Sequence, residues 1–309
     1  MQAAKIRIGT RGSPLALAQA REVVGRLTHA HKLSEGACEL VVIKTSGDRI
    51  TDRPLAEEGG KGLFTKEIEE ALLEGAIDLA VHSAKDMLTM LPRGLAIGAA
   101  LKREDPRDAF ISLEYSSLSK VPKGAVIGTS SLRRQAQVLH HRPDLKIVPL
   151  RGNVETRLKK LADSQANATF LACAGLNRLG LADHIRERIS TEVMLPAVAQ
   201  GAIAIELRDG NADTAQLIAP LNDAATALCV AAERAFLAKL DGSCRTPIAG
   251  LAELYGNVLR FRGEILTPDG KQLFSTERSG AAETALRLGE EAAAELLERA
   301  GPDFLRVLA

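Results

Sequence analysis

The sequence predicts an α/β fold followed by a smaller α+β part. Over the first two-thirds of the chain, short β-rich runs alternate with amphipathic helical stretches, a pattern typical of βαβ units and parallel sheets. In the last third, one long Ala-rich helix precedes strand-like runs and a closing helix. The length of 309 residues also favours two or three domains over one.

The first α/β series opens with a strong helix signal. Ser13 is a preferred N-cap, and Pro14 suits the first helical position. Residues 46–62 are rich in Gly and charge and lack periodicity, so they predict a mobile loop. The pattern predicts strands at residues 5–9, 38–45, 77–82 and 95–101, and helices at 13–30 and 63–75.

A second α/β series follows, and the last third closes the chain. Its antiparallel strands are expected within residues 248–278, with a turn at Thr267-Pro268-Asp269-Gly270. The remaining elements are predicted as strands at 108–113, 125–128, 146–150 and 169–173, and helices at 131–141, 154–164, 222–240 and 281–300.

Composition excludes several classes of protein. A hydrophobic content of 46% is incompatible with wholesale disorder. Lys and Arg number 40 against 39 Asp and Glu, and aromatics make up 3%, which argues against a nucleic-acid binder. Without an apolar leader or a membrane-length apolar run, we expect a cytoplasmic protein with no membrane partner.

Two similar turns connect a strand to a helix. Gly9-Thr10 leads to Ser13, and Gly128-Thr129-Ser130 leads to Ser131. A helix N-terminus offers free N–H groups to an anion, although Ser at such a position is also an ordinary cap. The repetition, with arginines beside both turns, favours an anion site.

Basic residues recur where predicted strands end. In an open α/β sheet, ligands bind beyond the carboxyl ends of the strands, and arginine forks bind carboxylates or phosphates. Each residue alone is equally compatible with a solvated surface charge. As a set they predict a cleft for a polyanionic ligand: Arg11, Lys85, Arg133, Arg134, Arg151, Arg157 and Arg178.

Two further positions are candidates for chemistry. Asp86 could serve as a general acid and Lys85 as a carboxylate partner or Schiff-base amine, or the two could form a plain ion pair. The preceding His82 fits a structural histidine. Cys244 lies in a loop beside Arg245, which favours the thiolate needed for covalent chemistry. Cys38, Cys173 and Cys229 are predicted to be buried, inert thiols, and no cysteine has metal-ligand spacing.

Taken together, the motifs resemble the porphobilinogen deaminase family, also called hydroxymethylbilane synthases. Each motif alone is weak, but the ordered set covers nearly the whole chain. The motifs are Arg11–Ala16, Gly59–Phe64, Val81–Asp86, Arg103–Phe110, Gly128–Gln135, Leu150–Val154, Ala174–Leu179, Leu195–Ala202 and Gly242–Cys244.

The resemblance implies two α/β domains of the periplasmic-binding-protein type and a smaller α+β C-terminal domain. Domain 1 would comprise residues 1–101 and 201–219, domain 2 residues 106–196, and domain 3 residues 222–309. It further implies a monomer and a transferase of tetrapyrrole biosynthesis. Such an enzyme condenses four porphobilinogen molecules head to tail, releasing four ammonia, on a dipyrromethane cofactor.

Roles follow from the same resemblance. Asp86, with Lys85, would be catalytic, and dipyrromethane would be attached to Cys244 as a thioether. Phe64 and Lys61 match a lid region formed by residues 46–62. The remaining cofactor contacts would come from Arg133, Arg134, Lys85, Asp86, Thr129 and Ser130, and the substrate contacts from Arg11, Ser13, Arg151, Arg157, Arg178, Phe64 and Gln200.

The chain departs from the family pattern in two places. Met87-Leu88-Thr89-Met90-Leu91 delays the proline that relatives commonly have soon after the aspartate, and Ala199 replaces a frequent Gly. A non-enzymatic carboxylate-binding protein is the main alternative, and it would need neither Asp86 nor Cys244. A pyridoxal phosphate enzyme using Lys85 is a weaker one, because a partner set for that cofactor is missing.

Overall fold

The computed structural model describes residues 5–49, 62–240 and 246–308. Its first α/β series consists of β1 (Ile6–Thr10), α1 (Pro14–His31), β2 (Cys38–Val42), α2 (Ser46–Arg49), α3 (Lys66–Leu73), β3 (Leu79–Ser83) and β4 (Leu95–Ala100). The second consists of β5 (Asp108–Ser112), β6 (Val126–Gly128), α4 (Leu132–His141), β7 (Lys146–Val148), α5 (Val154–Ala162), β8 (Ala168–Ala172), α6 (Cys173–Arg178) and β9 (Glu187–Arg188). The chain ends with β10 (Ile203–Arg208), α7 (Ala212–Ile218), α8 (Ala224–Lys239), β11 (Ile248–Tyr255), β12 (Val258–Leu266), β13 (Leu273–Ala281) and α9 (Ala285–Leu308).

These elements form two compact units. Unit 1 combines the residues up to Arg103 with Ala202–Ala227, and unit 2 combines Glu104–Gly201 with the residues from Leu228 onward. Each unit contains a five-stranded sheet, and unit 2 also contains the three-stranded sheet β11-β12-β13. This arrangement confirms the predicted fold class, whereas the three-domain boundaries stay a prediction.

The two larger sheets have the same plan. In unit 1 the strand order is β2-β1-β3-β10-β4, and in unit 2 it is β7-β6-β8-β5-β9. The first three strands of each order are parallel, as predicted, but the fourth, β10 or β5, runs antiparallel to both neighbours. The parallel pairing expected from the βαβ pattern therefore holds for three strands of each sheet, and the antiparallel fourth strand is an addition to it. The fourth strand lies outside the βαβ series of its sheet, so no helical crossover makes it parallel.

Helices cover both faces of each larger sheet. In unit 1, Ile8, Leu79 and Ile205 of the sheet share a core with Val23 and Leu27 of α1. Ile68 and Leu72 of α3 pack on the opposite face. Unit 2 is built the same way, with one core around Phe110, Phe170 and Val138 and another around Ile111, Leu161 and Leu176.

Two predicted helix starts, at Ser13-Pro14 and at Ser131, are confirmed. Ser13 accepts a hydrogen bond from the Ala16 N–H and Pro14 begins α1, while Ser131 accepts one from the Arg134 N–H at the start of α4. The two strand-to-helix turns thus have the same capping geometry. Each cap satisfies one backbone donor that the helix itself leaves without a partner.

Other local predictions need correction. Residues 46–49 form the short helix α2 rather than loop, and residues 50–61 lie outside the described residues. The closing helix begins at Ala285, because β13 continues to Ala281, and it is kinked at Gly301. Cys173 and Cys229 are buried, but Cys38 is only half-buried because it begins β2, the edge strand of its sheet.

Within the described ranges, no single helix is long and apolar enough to cross a membrane. One pair, Ala212–Leu221 with Ala224–Lys239, meets that test by length and composition, but it is bent by 110°.

Candidate active site

A small pocket of unit 1 brings several predicted site residues together. Its volume is about 50 Å³, and it lies where β1, β3 and the start of α1 meet the segment preceding α3. Four of its lining residues were predicted from the sequence: Arg11, Ser13, Phe64 and Asp86. These four residues bring one guanidinium, one hydroxyl and one carboxylate together with an aromatic ring.

Arg11 is held in the pocket from two sides. Its guanidinium forms an ion pair with Asp48 of α2, with Nε 3.2 Å from Oδ1, and its carbon lies 4.2 Å from the centroid of the Phe64 ring. Burial acts to raise the pKa of Asp48, but hydrogen bonds from Arg11 and Thr45 outweigh it and leave that pKa below its ordinary value. The arginine is therefore pre-oriented, which lowers the entropic cost of binding an anion.

Lys85 and Asp86 follow β3 in a single 3₁₀ turn, Ala84–Asp86. Ala84 is buried and anchors the turn by donating its N–H to the Ala202 carbonyl at 3.0 Å. Lys85 is half-buried and Asp86 is exposed. The turn thus presents the predicted acid at the carboxyl end of a buried strand, where ligands of open α/β sheets bind.

Sequence reasoning missed a polar pair in the same pocket. Gln19 of α1 donates from Nε2 to the Ser83 hydroxyl at 2.9 Å, and that oxygen lies 3.1 Å from Gln19 Oε1. Both residues line the pocket. The available signal was Gln19 itself, a polar residue on the face of α1 that also buries Ala20, Val23 and Leu27.

In unit 2, three predicted site residues meet at one carboxylate that the sequence analysis did not single out. Asp108 accepts an ion pair from Arg133 at 2.8 Å and another from Arg134 at 2.6 Å. Gln200 donates from Nε2 to Asp108 Oδ1 at 3.2 Å. All four side chains are nearly or fully buried, so this centre is shielded from solvent.

The two arginines also bind backbone carbonyl groups. Arg133 donates to the Leu195 oxygen and Arg134 to the Phe170 oxygen, both at 2.8 Å. Burial lowers the pKa of Arg133, an effect that Asp108 opposes and Arg134 reinforces. Two guanidinium groups on one carboxylate nevertheless leave a net positive charge, since arginine stays protonated in proteins.

The turn that precedes α4 carries the next two predicted residues. Thr129 is buried, its N–H donates to the Val148 carbonyl, and its hydroxyl accepts from the Ser131 N–H at 3.2 Å. Ser130 is exposed. The turn therefore has a fixed backbone and one hydroxyl that is accessible to a ligand.

The remaining unit 2 residues occupy separate places. Arg151 is half-buried and follows β7. Arg157 donates from Nε to the Gly152 carbonyl at 2.8 Å, and Arg178 at the end of α6 donates to the Gly201 carbonyl at 3.0 Å. Cys244 and Lys61 lie outside the described residues.

Two family models match the chain. One, described as porphobilinogen deaminase, dipyromethane cofactor binding domain, covers residues 6–216, and the porphobilinogen deaminase C-terminal domain covers residues 227–298. Solved structures give weaker likenesses. A putative methionine-binding lipoprotein from Bacillus subtilis is 14% identical with a TM-score of 0.44, over 72% of this chain and 91% of that one.

Curated relatives match over nearly the full length. A porphobilinogen deaminase of Paracoccus denitrificans is 59% identical over 299 residues, which are 97% of this chain and 96% of the relative. One of Nitrobacter hamburgensis is 55% identical over 302 residues, 98% of this chain and 96% of the relative. The chain therefore belongs to the porphobilinogen deaminase family.

Proposed function

We propose that Asp86 is the catalytic acid–base of this enzyme and that Cys244 anchors its cofactor. The activity follows from family membership: the protein is a transferase, a hydroxymethylbilane synthase of tetrapyrrole biosynthesis. It condenses four porphobilinogen molecules head to tail, with release of four ammonia, on a dipyrromethane primer. The observation that carries the assignment of Asp86 is its place in one pocket with Arg11 and Ser13.

The donor set of the pocket fits dipyrromethane and porphobilinogen. Every pyrrole ring of these molecules carries acetate and propionate side chains, which require cations and N–H or O–H donors. Arg11 and the Ser13 hydroxyl supply such donors in unit 1. When bound, dipyrromethane supplies the pyrrole carbon to which the first substrate is joined.

Asp86 has the chemistry that the reaction needs at the substrate. As an acid it donates a proton to the departing amine, and as a carboxylate it stabilises the positive charge that develops when ammonia leaves. It then accepts the proton released when the new carbon–carbon bond forms. Lys85, on the same turn, holds a carboxylate of the substrate or cofactor.

Unit 2 contributes positive charge. We assign Arg133 and Arg134 to cofactor carboxylates, supported by their excess of one charge over Asp108. Ser130 and Thr129 contribute hydroxyl and N–H groups at the start of α4. Arg151, Arg157 and Arg178 bind substrate carboxylates, and Gln200 positions Asp108.

The other cysteines make poor anchors. Burial raises the pKa of the Cys38 thiol, and it raises that of Cys173 to about 12. Cys229 is buried within α8. Because the thiolate is the nucleophile, these environments disfavour attachment there and leave Cys244 as the anchor.

Intact-protein mass spectrometry tests this assignment. The purified enzyme should exceed its sequence mass by one dipyrromethane, and Cys244→Ser should remove that increment. Cys38→Ser is the matched control and should retain it. An unchanged mass increment in Cys244→Ser would contradict the thioether at Cys244. Loss of the increment in Cys38→Ser would assign the attachment to Cys38.

We also propose that the enzyme acts as a cytoplasmic monomer without nucleic-acid or membrane partners. The near balance of 40 basic and 39 acidic residues supports this, because binders of nucleic acid or anionic lipid need a basic excess. Light scattering after gel filtration should give one chain mass, and a dimer mass would overturn the proposal.

A further inference from the structure

Behind the pocket of unit 1 lies a buried acidic cluster formed by Glu69, His82 and Glu206. Glu69 belongs to α3, His82 to β3 and Glu206 to β10, and their exposed fractions are 3%, 5% and 0%. None of these residues was assigned a role in the reaction. His82 connects the cluster to the active site, because it also lines the pocket that contains Arg11 and Asp86.

The contacts leave the cluster short of hydrogen-bond donors. His82 Nε2 lies 3.1 Å from Glu206 Oε2. The second oxygen of Glu206 and Oε1 of Glu69 are buried without a hydrogen-bond partner among the described residues. A buried carboxylate oxygen that lacks a donor is costly when the group is ionised and far less so when it is protonated.

The surroundings offer little positive charge. The groups that act on the charge of Glu69 are the Thr65 hydroxyl just before α3, the neighbouring Glu70, His82 of β3 and Glu206 of β10. Two arginines on strands that contact α3 have other partners: Arg7 of β1 binds Asp78 at 2.7 Å, and Arg208 of β10 donates to the Leu72 and Ile77 carbonyls. Strand β4 contributes no charged residue. Among the described residues, one histidine therefore accompanies two carboxylates in this cluster.

Two ionised carboxylates in such a buried site carry a high free-energy cost, because they repel each other and have lost their hydration. Burial raises the pKa of Glu69, and the negative charge of Glu206 raises it further, whereas the Thr65 hydroxyl and His82 offset part of the shift. Within the described ranges, no group of three potential ligands is placed to hold a metal ion. A proton on one of the two carboxylates removes the second charge.

We propose that Glu69 stays protonated in the working enzyme, which keeps a second negative charge away from the pocket wall, and that losing this proton weakens binding of the substrate carboxylates. The second half rests on the proposed function, since it takes this pocket to be the carboxylate site. In this proposal Glu69 does not touch the substrate. It affects substrate affinity through the electrostatic potential at the pocket.

The Michaelis constant for porphobilinogen tests the proposal. In the holoenzyme, the KM of the wild type should rise toward alkaline pH by a factor about three- to tenfold larger than the factor by which the KM of Glu69→Gln rises. The difference in kcat between the two proteins should be much smaller. Titration of the substrate amine affects both proteins alike and cancels in the comparison. Glu70→Gln is the matched control, because Glu70 lies on the same helix but is exposed, and it should behave as the wild type. Equal pH profiles of KM in wild type and Glu69→Gln would overturn the proposal.

Two measurements are independent of turnover. Carbon-13 NMR of labelled glutamate carboxyls, with the Glu69 signal identified by its absence in Glu69→Gln, should show Glu69 titrating above the ordinary range of a glutamate. A folded-state pKa above the unfolded one stabilises the protein at low pH, and this stability is lost as pH rises through the folded pKa. Glu69→Gln should therefore become increasingly more stable than the wild type as pH rises. Titration of Glu69 within or below the ordinary glutamate range would refute the proposed proton on Glu69.

Failure of the proposed function has a separate signature. Arg11→Leu should raise KM at least about tenfold if the pocket binds substrate carboxylates. An unchanged KM in Arg11→Leu would remove the pocket from substrate binding, whereas the NMR midpoint of Glu69 would still decide where the proton resides.

Discussion

The two five-stranded sheets share one strand order, yet they surround their buried carboxylates with different charges. Both carboxylates lie on the antiparallel fourth strand, Glu206 on β10 and Asp108 on β5, and both are fully buried. Glu206 faces one histidine and a second carboxylate, whereas Asp108 faces two arginines. One framework thus holds an acid-rich centre in unit 1 and a cation-rich centre in unit 2.

The difference separates two tasks. Unit 1 places Asp86 beside a pocket whose background charge is kept low, which suits the movement of protons. Unit 2 has an excess of buried guanidinium groups next to a capped helix start, which suits the permanent holding of carboxylates. The proposed assignments therefore give two sheets of similar plan different tasks, according to the charges around each fourth strand.

The largest expected effect concerns the acid of unit 1. Asp86→Asn should retain the fold and the dipyrromethane mass increment but lower turnover about 10²- to 10⁴-fold, because an amide cannot exchange protons. Steady-state assays measure the loss. Asp163→Asn, an exposed carboxylate in unit 2, is the control and should be near wild type. Near wild-type turnover in Asp86→Asn would assign the chemistry elsewhere.

The next effect distinguishes the two buried carboxylates. Asp108→Asn leaves two buried arginines without a counter-charge, so it should lower the free energy of unfolding by about 3–5 kcal/mol. Glu206→Gln keeps an acceptor for His82 and removes a buried negative charge whose second oxygen has no hydrogen-bond donor, so its cost should be about 1 kcal/mol or less. Urea denaturation measures both, and equal costs would mean that the surrounding charges do not distinguish the two units.

A smaller effect concerns a turn that packs on α4, the helix bearing both arginines. Gly270 has φ +71°, and an added Cβ would lie 2.5 Å from the Ala136 carbonyl oxygen and the His140 nitrogen. Gly270→Ala should therefore cost about 2 kcal/mol or more. Gly256 has a similar φ of +61° with open space around it, so Gly256→Ala isolates the backbone cost of about 1 kcal/mol. Equal losses of stability for the two variants in thermal unfolding would show that the turn moves away from α4 and accommodates the added methyl group.

The smallest effect is a stabilisation. Ala199 has φ +60°, a conformation strained for any residue with a Cβ. Ala199→Gly should raise the free energy of unfolding by about 0.5–1 kcal/mol. Lys32→Gly, at φ +50° in unit 1, should act similarly, and Ala162→Gly in helix α5 should have the opposite sign. A loss of stability in Ala199→Gly would mean that its methyl contacts outweigh the strain.

Sequence patterns located single residues better than they located their partners. The caps Ser13 and Ser131, the strands that precede them and the arginines at strand ends are encoded within a few neighbouring residues. Asp108 was overlooked although it binds Arg133, Arg134 and Gln200, because those contacts join residues 26 and 92 positions apart. The Gln19–Ser83 hydrogen bond was also not predicted, because its two residues lie 64 positions apart in the sequence.

The sequence alone determined the α/β class, the helix starts, the ordered motifs of the family and the choice of Asp86 and Cys244, because local periodicity and motif order do not depend on long-range packing. Only the tertiary structure decided that the fourth strand of each sheet is antiparallel. It also decided that Glu206 faces Glu69 and His82, and that Asp108 neutralises only part of an arginine pair. Charge balance at a buried site depends on which distant side chains the fold brings within a few ångströms, and burial magnifies every such interaction.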